Sequence, residues 1–160
     1  MHYTKKNIFR GALIYSAGDT IAALLLNEFS WSRLLGMIAV GATVYAFEIP
    51  NYFDWIVKQT QNLKGIKATL SKTALAMLYF NPLWIARHLL LIKLFSGQFE
   101  SIGWNLLEIA FWSFLANILI SFIANYIIQN NIHLKWRFIA SAVFSALMAI
   151  YYALSETIFS

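Results

Sequence analysis

Five apolar runs, close to residues 7–26, 34–57, 73–95, 104–128 and 134–158, divide this chain of 160 residues. That spacing constrains the fold more than any other feature. A helix needs about 20 apolar residues to cross a bilayer, and each run is of that order. The breaks after the first and third runs are only a few residues long, which predicts antiparallel neighbours. Composition points the same way: 60% of the residues are hydrophobic and 12% charged, against roughly half and about 25% in a soluble domain. The expected fold is an all-α polytopic transmembrane helix bundle of five spans, with residues 1–160 forming a single integral membrane domain in the lipid bilayer. The start of the fourth run is polar enough to leave four spans plus an interfacial helix as the alternative.

Cations fall between the runs and not in a stripe along one helix, so they read as topology signals, with no nucleic acid expected as a partner. With five spans, Lys5, Lys6, Arg10, Lys58, Lys64, Lys67, Lys72, Lys135 and Arg137 lie on one side, and Arg33 and Lys93 on the other. This bias puts the N-terminus on the positive, cytoplasmic or matrix-like side. Trp31 and Trp104 on one face, and Trp55 and Trp136 on the other, fit interfacial aromatic belts. The residues after Lys6 show no small-residue cleavage site, so a retained first helix is expected. Cysteine is absent, which excludes a disulfide framework, a thiolate metal site and a cysteine nucleophile.

Within the second run, Glu48, Pro50 and Asp54 interrupt an apolar stretch. A charged side chain in hydrocarbon costs at least about 2.5–3.5 kcal/mol unless paired, hydrated or neutralised, so Glu48 needs a partner. Pro50 cannot donate to the Ala46 carbonyl, and a helix kink is expected there, with a second at Pro82. At about 1.5 Å per residue, Asp19, Glu48 and Arg87 fall within roughly 8 Å of one level along the membrane normal. The predicted site is therefore an interior polar cluster in which Asp19 and Glu48 face Arg87 and His88, with carbonyls freed near Pro50 and Pro82 as further acceptors. Such a cluster suits a solute path or a proton-linked site; a structural ion pair holding three helices in register is the competing reading.

Ser141, Ser145, Ala149 and Ala153 recur every fourth residue on the last helix. This small-residue ridge is expected to pack within the bundle, with a homodimer seam as the alternative. Gly36 and Gly41 read as close-packing sites. Asn117 and Asn125, two turns apart, read as interhelical hydrogen-bonding residues, with Asn117 a candidate for the polar cluster. His2, His88 and His133 are too scattered for a metal site. No phosphate-binding glycine loop and no nucleophile, base and orienter set appears, so neither enzymatic activity nor a cofactor is expected.

Several short motifs resemble known families. Thr4-Lys5, Gly11-Ala12-Leu13 and Gly18-Asp19-Thr20-Ile21-Ala22 are similar to the opening of the Mpv/PMP family of small mitochondrial and peroxisomal membrane proteins. Arg33, Pro50 with Trp55, Lys72 with Pro82, Trp104, Asn125-Tyr126, Arg137 and Tyr152-Ala153-Leu154-Ser155 follow in the order of that family's landmarks. Ala76-Met77 stands where the family has an Asp-Gln pair, and Trp112-Ser113 where it has Trp-Pro. A second resemblance covers the middle of the chain. Ser32-Arg33-Leu34, Tyr52-Phe53-Asp54, Phe80-Asn81-Pro82 and Asn125-Tyr126 are similar to the bacterial L-alanine exporter family, whose members have four spans. The first implies a channel-like, metabolite-related role in an organellar membrane, the second efflux of a small amino acid from a bacterial inner membrane. Together these readings predict a small channel or exporter for a small polar solute, with a non-transporting structural, assembly or immunity-type membrane protein as the contrary class.

Overall fold

The computed structural model describes residues 3–159, without the side chains of residue 149 and residues 152–159. Among the described residues every long element is a helix: α1 Lys5–Leu25, α2 Trp31–Val40, α3 Ala46–Thr60, α4 Gly65–Tyr79, α5 Pro82–Phe95, α6 Asn105–Asn130 and α7 Leu134–Phe159. A π-helical turn, Gly41–Tyr45, joins α2 to α3 in one continuous rod, and a short 3-10 turn, Phe99–Ser101, precedes α6.

Local chemistry sets the boundaries. The Thr4 and Ser30 hydroxyls accept from the amides of Asn7 and Arg33, each at 3.2 Å, and so cap α1 and α2. Left-handed residues end α1 and α5: Asn27 with φ 58° and Gly97 with φ 72°. In both cases the following amide folds back, Glu28 N–H to Ala23 O at 2.8 Å and Gln98 N–H to Lys93 O at 3.0 Å. The second run extends further than the apolar pattern suggests, reaching from Trp31 to Thr60, and the third begins at Gly65 instead of near residue 73. Lys67 and Lys72 therefore lie on helix and not in the linker or at its edge, because lysine is a good helix former and carries its charge outward.

The helix breaks differ from the two kinks expected at the prolines. Pro50 lies inside α3, which continues through it; the interruption of α-helical hydrogen bonding sits five to nine residues earlier, in the π turn. At Pro82 the helix stops and restarts. Phe80 ends α4, Asn81 has extended backbone (φ −83°, ψ 177°), and Pro82 takes the first position of α5, where its missing N–H costs nothing. Asn81 serves both ends: its Oδ1 accepts from Trp84 N–H at 3.1 Å and its Nδ2 donates to Leu78 O at 2.9 Å.

α1 packs along α7 and crosses the α2–α3 rod, α4 and α5 lie against α6, and α6 lies against α7. The crossing of α1 with the π turn is a backbone contact: a Cβ on Gly41 would sit 2.9 Å from the Gly11 carbonyl carbon. Gly18 meets Ala146 of α7, where a Cβ would lie 2.6 Å from Cα, and Gly36 receives the ring of Phe95. Gly36 and Gly41 thus sit at close contacts, as small residues do in membrane bundles. On α7, Ser141 and Ser145 are buried; the side chains of Ala149 and Ala153 lie outside the described residues.

The bundle exposes many large apolar side chains, and its largely apolar core includes a buried polar strip. Leu35, Leu78, Leu83, Leu119 and Leu147 are exposed, whereas Ser113, Asn117, Ser121, Asn125 and Gln129, at every fourth position of α6, are all buried. Only 28% of the most apolar stretch of α6 is enclosed by the molecule. Water as the surrounding solvent would reverse that arrangement; lipid accounts for it.

Candidate functional site

Glu48 and Arg87 meet as expected. Arg87 Nη1 and Nη2 donate to Glu48 Oε1 and Oε2 at 3.1 and 2.8 Å, a bidentate pair. The Tyr79 hydroxyl donates to the same carboxylate at 2.7 Å. Backbone irregularity brings them together: Glu48 follows the π turn, Tyr79 is the last residue of α4, and Arg87 lies in the second turn of α5 beyond the break. The guanidinium also lies over the Tyr45 ring at 5.7 Å, while its Nε is buried with no hydrogen-bond partner. The pair is not sealed, since the two side chains are 36% and 33% exposed. A groove of about 390 Å³ between α5 and the start of α6, lined by Leu83, Leu90, Trp104 and Leu107, reaches Arg87 from the bundle exterior.

Asp19 does not join that centre. It binds Arg33, with Nε to Oδ2 at 2.9 Å and Nη2 to Oδ1 at 2.8 Å, and the two side chains are 1% and 2% exposed. Glu28 adds a third contact, 3.4 Å from Arg33 Nη1. Sequence reasoning placed Arg33 at the membrane surface as a topology charge and gave Asp19 to Arg87. The physical reason for the difference is the short hairpin: only the turn between Leu25 and Trp31 separates α1 from α2, so residues near its two ends share one level. A wall of rings then divides Asp19 from Arg87. Tyr45 stands between α1 and α5, 4.5 Å from the Tyr15 ring and 5.6 Å from Trp84.

His88 belongs to that wall and not to the carboxylates. Its Nδ1 lies 2.9 Å from the Tyr45 hydroxyl, and its ring stacks on Trp84 at 5.5 Å. Asn117 is farther off along α6, where its Nδ2 donates to Ser121 Oγ at 3.1 Å and Met148 Sδ at 2.8 Å. It is part of the buried polar face of α6, which continues through Asn125, Gln129 and, across the turn, Arg137, whose Nη1 donates to Gln129 Oε1 at 3.3 Å. Where this face meets Trp84 and Ser145 there is a cavity of about 20 Å³, the size of one water molecule. Among the described residues no three His, Asp or Glu side chains gather as metal ligands.

Sequence reasoning missed Tyr79, Tyr45 and Arg33. A tyrosine just before an Asn-Pro break is a detectable signal for Tyr79, and a short hairpin that lays the last turns of the first helix beside the first turn of the second is one for Asp19 with Arg33. Tyr45 is set by the π turn, which the sequence does not announce.

Fold and site together define the class: a helical bundle with four helices long and apolar enough to cross a membrane, carrying paired charges inside. Comparison with models of known families, with characterised proteins and with solved structures finds no match.

Proposed function

We propose that this chain is a small integral membrane transport protein of five spans, a channel or exporter that passes a small polar solute. The observation that carries the reading is the Glu48–Arg87–Tyr79 group, a third exposed and set beside two interruptions of regular helix. Unwound or irregular backbone at membrane depth is tolerated where it lines a cavity or is buried in protein, and discontinuous helices are a recurrent way of building transport sites. Asp19–Arg33 is buried, whereas the Glu48 and Arg87 side chains are each about a third exposed and Arg87 lines a groove. In this reading α7 is the fifth span, and the charge bias of the linkers favours an N-terminus on the positive side with the C-terminus across the membrane.

Small amino acids are the first solute class to test. Once their mutual pair opens, the carboxylate and guanidinium complement a zwitterion, whose ammonium would face Glu48 and whose carboxylate would replace Glu48 as the bidentate acceptor of Arg87. The motif resemblance to the L-alanine exporters supports this class, and that to the Mpv/PMP family supports other small metabolites. Flux into liposomes holding the purified protein tests the proposal, with small amino acids and common metabolites offered at two pH values. Saturable flux abolished by Glu48→Gln is expected. Absence of flux for every solute, with a variant that inserts but melts early, would favour a structural or partner-binding membrane protein, a reading to which the buried, neutralised Asp19–Arg33 pair lends support.

A further inference from the structure

A second polar site lies at the other end of the bundle from the Asp19–Arg33 pair. The first turns of α1 and α7 and the middle of α3 enclose a cavity of about 410 Å³. Lys6, Arg10, His133 and Lys135 reach it from α1 and the start of α7, and Phe53 and Phe138 form part of its apolar floor. Its charge is unbalanced: Lys6, Arg10 and Lys135 stand against Asp54 alone, a formal excess of two positive charges with histidine neutral. Lys6, Arg10 and Lys135 make no ion pair among the described residues. Trp136 takes the Arg10 guanidinium at 5.5 Å and the Lys135 ammonium at 5.9 Å from its ring centre, which orients both cations without neutralising either.

We propose that this cavity binds a phosphate group carrying net negative charge, in the form of an anionic phospholipid headgroup or a soluble phosphorylated metabolite. Three observations converge. Cations from two helices meet in one concavity, as in the basic pockets between spans that hold anionic headgroups. The first turns of α1 and α7, both long helices, border it, and helix N-termini favour anions. An apolar floor beside the cations suits a ligand that carries carbon next to its phosphate. Glu48 and Arg87 take no part, so the site stands independently of the transport reading.

The test is ligand-induced thermal stabilisation of the full chain in neutral detergent. Phosphatidylglycerol, phosphatidylcholine, glycerol 3-phosphate and inorganic phosphate are titrated separately. A saturable rise in Tm is expected with phosphatidylglycerol, with glycerol 3-phosphate or with both, and none with phosphatidylcholine. The first alone identifies a lipid headgroup, and glycerol 3-phosphate alone a soluble ligand. The triple variant Lys6→Gln, Arg10→Gln, Lys135→Gln should need at least tenfold more ligand for the same shift. A control with Lys58, Lys64 and Lys67 changed to Gln, at the same end of the bundle, should titrate as wild type. Should the cavity variant lose its fold, the single Lys135→Gln exchange, expected to raise the half-saturating concentration several-fold, replaces it. No saturable shift with any phosphate, or an equal loss in the control, overturns the proposal.

Discussion

The two ion pairs differ in what surrounds them, and that difference predicts how each responds to substitution. Arg33 has its donors distributed between Asp19 and Glu28 in a site almost closed to the exterior. Asp19→Ala strands a buried guanidinium, which costs about 3–5 kcal/mol, so a much lower Tm and poor recovery of folded protein are expected by thermal unfolding in detergent. Glu48 is more open, and a glutamine in its place still accepts from Tyr79 and Arg87; a stability change within about 1 kcal/mol is expected from the same measurement. A substitution is thus able to separate structure from function at Glu48 more cleanly than at Asp19. At this scale the sequence announces that Glu48 needs a cation at its depth and that Arg87 is available. It does not announce which acid takes Arg33, because partner choice depends on how helices are arranged around the axis, and linear depth is silent on that.

Among elements, the discontinuity at Asn81-Pro82 and the contact of Gly11 with Gly41 are the features on which the site depends. Asn81 closes the last turn of α4 and opens the first of α5 with one side chain. Asn81→Ala removes both bonds and should cost about 0.5–2 kcal/mol as a lost cap, read as faster hydrogen exchange of the amides of Leu83, Trp84 and Ile85. Gly11→Leu has no room at all, since the Gly41 backbone occupies the place of its Cβ. Overpacking of about 1–3 kcal/mol or a displaced α1 is expected, visible as a lower Tm and loss of the folded peak in size-exclusion chromatography. Apolar run length made the helices legible, and proline marked the break at Pro82. The π turn was not legible: it is an extra residue in a rod whose apolar pattern runs on across it, and Pro50, the more visible signal, left α3 intact.

Viewed as a whole, the molecule exposes many leucines and buries a strip of asparagine and serine along α6, which fits the lipid surroundings that composition leads one to expect. Arg33 and Lys93, the cations assigned to the less positive side, are both buried, as is Arg137 among those assigned to the other. The chain contains no cysteine, and single introduced cysteines report topology directly. Lys64→Cys is expected to react with a membrane-impermeant thiol reagent from the side of the N-terminus, and Gln98→Cys from the opposite side. In the transport proposal Glu48–Arg87 acts on a solute and Asp19–Arg33 holds the bundle together. Its most direct test is parallel measurement of amino-acid flux and Tm for Glu48→Gln and Asp19→Asn in liposomes of one composition. Glu48→Gln is expected to abolish saturable flux at near wild-type Tm, and Asp19→Asn to lower Tm while the protein that remains folded still transports. Wild-type flux in Glu48→Gln, or loss of flux from fully stable Asp19→Asn, would contradict it.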